Sequence, residues 1–135
     1  MHTHGPVLLA GGLADVDFIT DYFRRLPPLA LHGLRGIVFI EVESQFDMSI
    51  LDVPADIGVH WLVREDIDSG TIEPGLALAR AVQLWAQEWI TDGGAPCQDP
   101  QLMWIGCART PIVEQMCLHL LHEHEDLHLH HADLI

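Results

Sequence analysis

Gly36-Ile37-Val38-Phe39-Ile40-Glu41-Val42 is the stretch on which the reading of the fold turns. Its β-branched residues suit a strand. Working outward, Pro6-Val7-Leu8-Leu9-Ala10 reads as a buried strand stopped by Gly11-Gly12. Ile57–Val63, residues 102–106 and a short run at 127–131 complete the set of strands. Between them lie segments of helical period. Residues 13–26 place Val16, Ile19, Tyr22, Phe23 and Leu26 on one stripe, ended by Pro27-Pro28. Residues 74–90 do the same with Leu78, Val82, Trp85 and Trp89. A third helix opens with Thr110 as cap and Pro111 at its first position, and it buries Ile112, Val113, Met116, Cys117, Leu120 and Leu121. Residues 43–56 read as a loop with one helical turn, 64–70 as an acidic loop, and 92–100 as a Gly/Pro loop.

The resulting order, β-α-β-β-α-β-α-β, predicts one α/β domain over residues 1–135, with helices on both faces of a parallel sheet of about five strands. Such sheets bind ligands beyond the carboxyl ends of their strands. That directs attention to Gly11 and Gly12, to Arg64, and to Gly106 and Cys107, each of which follows a predicted strand.

The formal net charge is −14, and all six basic residues are arginines. Phosphate backbones and anionic membranes both need clustered cations, so nucleic-acid and membrane-surface roles are disfavoured. There is no apolar run long enough to span a bilayer. The opening Met1-His2-Thr3-His4 lacks the character of a signal peptide, so a cytoplasmic location is expected. Three cysteines, at 97, 107 and 117, with no CxxC, argue against a disulfide framework or a thiolate zinc site.

Each candidate has an ordinary reading beside its functional one. Gly11-Gly12 could let a backbone approach a diphosphate at a helix N-terminus, or could simply turn the chain. Asp15 and Asp17 suit the helix dipole but would repel an incoming phosphate. Arg64 could pair with a phosphate, or with Glu65, Asp66 or Asp68. Cys107 reads as a pocket-wall residue rather than a nucleophile, because no base is in view to activate it. Cys117 reads as core. No catalytic residue is assigned. Histidines at 119, 122, 124, 128, 130 and 131 include pairs at metal-binding spacing, but a solvated, pH-sensitive surface accounts for them as well. No metal ligand is assigned.

Several stretches resemble the siderophore-interacting protein family. Leu8-Leu9-Ala10-Gly11 with Ile19 is similar to its Leu-Ala-Gly-Asp-Glu-Thr-Ala-Leu-Pro-Ala-Ile segment. Residues 33–42, Gly-Leu-Arg-Gly-Ile-Val-Phe-Ile-Glu-Val, resemble its Gly-x-Arg-Gly-x-x-Phe-Ile-Glu-Val. Val59-His60-Trp61-Leu62-Val63-Arg64 resembles Val-x-Trp-Leu-His-Arg, and Met103-Trp104-Ile105-Gly106-Cys107-Ala108 is similar to Val-Trp-Ala-Ala-Gly-Glu. The resemblance implies a ferredoxin-reductase-like, Rossmann-like NADP-binding domain, the C-terminal half of a ferric-siderophore reductase. It implies that Arg64 faces the NADPH phosphate, that Gly11 and Gly12 border the diphosphate, and that Gly106 and Cys107 border the nicotinamide. FAD would come only from a partner domain, since these residues contain no counterpart of the family's flavin barrel.

The departures fall on the supposed ligand edge. Gly12-Leu13-Ala14 stands where the family has Asp-Glu-Thr, Asp17 stands for its proline, Cys107 stands for its glutamate, and the closing Gly-Tyr-Trp-Arg is absent. Three expectations follow. The first is a nicotinamide-binding module that needs a flavin partner. The second is a non-catalytic relative that pairs with itself or another protein through apolar Trp85, Trp89 or Phe46. The third is metal handling by the histidine tail.

Overall fold

The computed structural model describes residues 7–27, 34–51, 53–66, 70–71, 75–89, 102–106, 110–123 and 129–131. Its strands are β1 (Val7–Gly12), β2 (Gly36–Val42), β3 (Ile57–Val63), β4 (Glu65–Asp66), β5 (Gly70–Thr71), β6 (Leu102–Ile105) and β7 (Leu129–His131). The helices are α1 (Val16–Arg25), α2 (Leu76–Trp89) and α3 (Pro111–Glu123), with short 3₁₀ turns at Leu13–Asp15 and Gln45–Asp47. The large sheet has the order β3-β2-β1-β6-β7 and every pairing in it is parallel. The chain winds outward from β1 to β3, then returns to the other side of β1 for β6 and β7. This reversal is the doubly wound arrangement, and it opens a crevice between the carboxyl ends of β1 and β6.

Alternation along β1 builds the three layers. Leu8 and Ala10 face one way and pack with Met103, Ile105, Leu78, Val82, Val113, Met116 and Cys117, under α2 and α3. Val7 and Leu9 face the other way and pack with Val38, Ile40, Ile19 and Phe23, under α1. On that second face the half-exposed Phe18 of α1 stacks on Trp104 at 4.3 Å between ring centroids. The β2–β3 crossover contains only the Gln45–Asp47 turn as helix among the described residues, yet its Leu51 and Val53 still pack on the α1 face. They supply cover that a full crossover helix would otherwise provide.

Several expectations shift. β1 does not stop at Ala10 but runs through Gly11 and Gly12, which lie opposite Ile40 and Glu41 of β2. Glycine reads as a break from sequence, but here the parallel ladder carries it as strand. The first helix opens as a 3₁₀ turn before α1 begins. The second starts at Leu76, just after Gly75 at φ +90°, a backbone conformation that favours glycine. Part of the acidic loop after β3 is the small antiparallel pair β4–β5. Trp85 is core rather than an interaction surface, whereas Phe46 is exposed. The side chain of Trp89 lies outside the described residues. No helix among the described residues is long and apolar enough to cross a membrane.

Cys117 is fully buried, and burial, assisted by Glu114, pushes its thiol up to about 12. It should therefore stay unmodified when the folded chain is treated with iodoacetamide at pH 8, and react once urea is added. Peptide mass mapping reads this directly. Alkylation of the Cys117 peptide in the native chain within minutes would contradict the packing described.

Candidate functional site

The crevice beyond β1 and β6 is built from backbone. β1 ends in Gly11-Gly12, and after β6 the N–H of Gly106 donates to the carbonyl of Ala10 at 2.7 Å. Gly11 and Gly106, 95 residues apart in sequence, thus stand side by side at the ends of two adjacent strands. Both are buried. Neither carries a side chain to fill the space above it, and Asp15 fills that space instead. A Cβ added to Gly11 would stand 2.6 Å from Asp15 Cβ, and one added to Gly106 would stand 2.5 Å from Asp15 Cγ. The Asp15 carboxylate also accepts a hydrogen bond from the N–H of Gly12, at 2.9 Å to Oδ2. This contact closes the 3₁₀ turn as the return bond of a capping box. It also sets a negative charge at the head of the crevice.

Arg64 follows β3, and its N–H donates to the carbonyl of Val42 at 2.9 Å. Its guanidinium faces Glu41, with Nε 3.7 Å from Glu41 Oε2. Nε is buried and lacks a hydrogen-bond partner. Glu41 is itself buried at the end of β2. Its Oε2 accepts from the N–H of Gly75 at 2.7 Å and its Oε1 from that of Leu78 at 3.0 Å. One carboxylate therefore closes the N-terminus of α2, where backbone donors have no partner within the helix.

Sequence reasoning missed this role of Glu41. The available signal was a lone carboxylate inside an apolar strand, which must find donors when buried. The structure thus brings Gly11, Gly12 and Gly106 together at one crevice. Arg64 stands two strands away, at the end of β3, held to Glu41. Cys107 lies outside the described residues. His119 and His122 are exposed on α3. Among the described residues no group of three or more His, Cys, Asp and Glu gathers in a way that could hold a metal ion. An open groove of about 440 Å³ runs between α2 and α3, with Arg80, Gln83, Gln115 and His119 among its lining. It is lined by helical side chains alone, with none from a strand end.

No protein-family profile matches the chain. Solved structures do resemble it. The siderophore-interacting protein SipS from Aeromonas hydrophila matches over 96% of this chain and 50% of its own, with a TM-score of 0.57 and 16% identity. A siderophore utilization protein from T. fusca matches over 97% of this chain and 44% of its own, with a TM-score of 0.64 and 16% identity. The siderophore-interacting protein from Acinetobacter baumannii matches over 96% and 45%, at a TM-score of 0.58 and 16% identity. This chain spans about half the length of each of the three. At such identity the likeness establishes a fold: an α/β domain with a parallel sheet, shared with part of each of these proteins.

Proposed function

We propose that this chain serves in siderophore-linked iron handling as the nicotinamide-binding module of a ferric-siderophore reductase type system, working with a flavin domain carried by a partner. The observation that supports it most is the strand-order reversal, which sets Gly11 and Gly12 of β1 beside Gly106 after β6 with no side chain of their own at the strand ends. That is where doubly wound sheets take dinucleotides. The fold shared with siderophore-interacting proteins supports the iron-linked context. In this reading Gly11 and Gly12 approach the diphosphate, Gly106 and Cys107 border the nicotinamide, and Arg64 faces the 2′-phosphate from β3. NADPH supplies hydride when bound, and FAD belongs to the partner domain.

The fit is incomplete. The crevice suits a dinucleotide in its backbone, but the Asp15 carboxylate stands where a diphosphate would approach, and Arg64 is already engaged by Glu41. No reaction step is therefore assigned to this chain alone. Those same two contacts favour a second reading, a non-catalytic relative that keeps the fold and acts by pairing with itself or another protein.

Calorimetric titration separates the two. Under the first reading NADPH binds saturably and more tightly than NADH, and Arg64→Ala weakens NADPH by roughly tenfold while leaving NADH nearly unchanged. Absence of binding at millimolar NADPH would sink the first reading for the isolated chain. A defined oligomer in sedimentation, together with that absence, would favour the second.

A further inference from the structure

Asp15 joins features that the crevice alone does not explain. Its carboxylate takes the Gly12 N–H, one of the backbone donors that an anion at a strand-to-helix turn would use. Its side chain covers the bare faces of Gly11 and Gly106 together, across the gap between β1 and β6. Asp17 shares the first turn and carries the same charge, but it is exposed and does not cover either glycine.

We infer that Asp15 is a built-in anion occupying the diphosphate position, and that it is the residue limiting this crevice's affinity for diphosphate groups. The inference rests on the nicotinamide reading for the identity of the natural ligand, but not for the behaviour of Asp15. The carboxylate acts in two ways. It occupies space and a donor that the ligand needs, and it repels the ligand's charge at short range in a partly desolvated place, where screening is weak. A phosphate-bearing ligand enters only as Asp15 swings aside. The crevice as folded therefore selects against anions.

Two substitutions separate charge from occupancy. Asp15→Asn keeps the shape and one acceptor oxygen, and Asp15→Ser shortens the side chain and clears the glycines. Each would be titrated calorimetrically with inorganic pyrophosphate and with NADPH at fixed ionic strength, beside the wild type and Asp17→Asn. Circular dichroism would report folding, and the serine variant serves if the asparagine variant does not fold. The expected result is binding about tenfold tighter than wild type for Asp15→Asn and tighter still for Asp15→Ser, with Asp17→Asn moving affinity about twofold or less.

Folded Asp15 variants that bind neither probe more tightly would overturn the inference. So would an Asp17→Asn effect as large as that of Asp15→Asn, since the global field and not the position would then be responsible. Tighter pyrophosphate binding without any added affinity for NADPH would uphold the role of Asp15 while sinking the nicotinamide reading, so the two fail separately.

Discussion

Glu41→Ala is expected to destabilise the chain by about 3 kcal/mol, through loss of acceptors for buried backbone donors. The Gly75 and Leu78 N–H groups at the start of α2 would lose their acceptors. The Arg64 guanidinium would lose its carboxylate. Most of the effect belongs to the two backbone donors, because they bond Glu41 directly, at 2.7 and 3.0 Å, whereas Arg64 Nε stands 3.7 Å away and its side chain keeps some access to water. Glu41→Gln should cost about half as much, since the amide retains one oxygen but turns an NH₂ toward the second donor. Urea unfolding followed by circular dichroism gives both values from the midpoints at constant slope. A Glu41→Ala midpoint equal to wild type would remove the carboxylate from its place as the link between β2 and α2.

Gly36→Ala is expected to destabilise by about 2–3 kcal/mol, for a steric reason. Gly36 opens β2 directly opposite Val7 of β1. A Cβ there would overlap the Val7 carbonyl oxygen and crowd the Val7 side chain and backbone N. None of these is the loose end of a flexible group. Val7 is tied in the central strand, and its N–H donates to the carbonyl of Arg35 at 3.0 Å. Gly58 on β3 is the control, because a Cβ there would meet nothing within 4 Å. Gly58→Ala should fall within about 0.5 kcal/mol of wild type. Equal losses at the two positions would point to a generic intolerance of strand alanine rather than to the contact with Val7.

Glu41 and Gly36 both lie in β2, and that bears on what could be read from sequence. The order of strands and helices was legible because each strand is an apolar run and each helix a periodic one, and alternating elements leave few topologies. Within β2, however, Gly36 and Glu41 serve packing and capping. A glycine pressed against a neighbouring strand and a carboxylate closing a distant helix leave no local pattern. The glutamate's partners are 34 and 37 residues away.

The crevice was half legible. The glycines after predicted strands gave its location, and Asp15 was visible as an obstacle to phosphate. That Asp15 covers Gly106 as well as Gly11 depends on β6 lying beside β1, which follows from the topology and not from either neighbourhood. Arg64 was read against its acidic neighbours in sequence, but the carboxylate it faces belongs to the adjacent strand.

The central position of β1 sets the order in which this protein can be made. Val7 lies opposite Gly36 on one side and Leu102 on the other. During synthesis the first three large-sheet strands emerge early and can pair, but the far edge of β1 must wait until most of the chain has left the ribosome. Until then Leu8 and Ala10 lack Met103 and Ile105, and an apolar strand edge stays open to any neighbouring chain. Slow translation or truncation before residue 102 should therefore yield aggregates rather than a small stable subdomain. In refolding of the whole chain, the pairing of β1 with β6, the most distant in sequence within the sheet, would limit the rate.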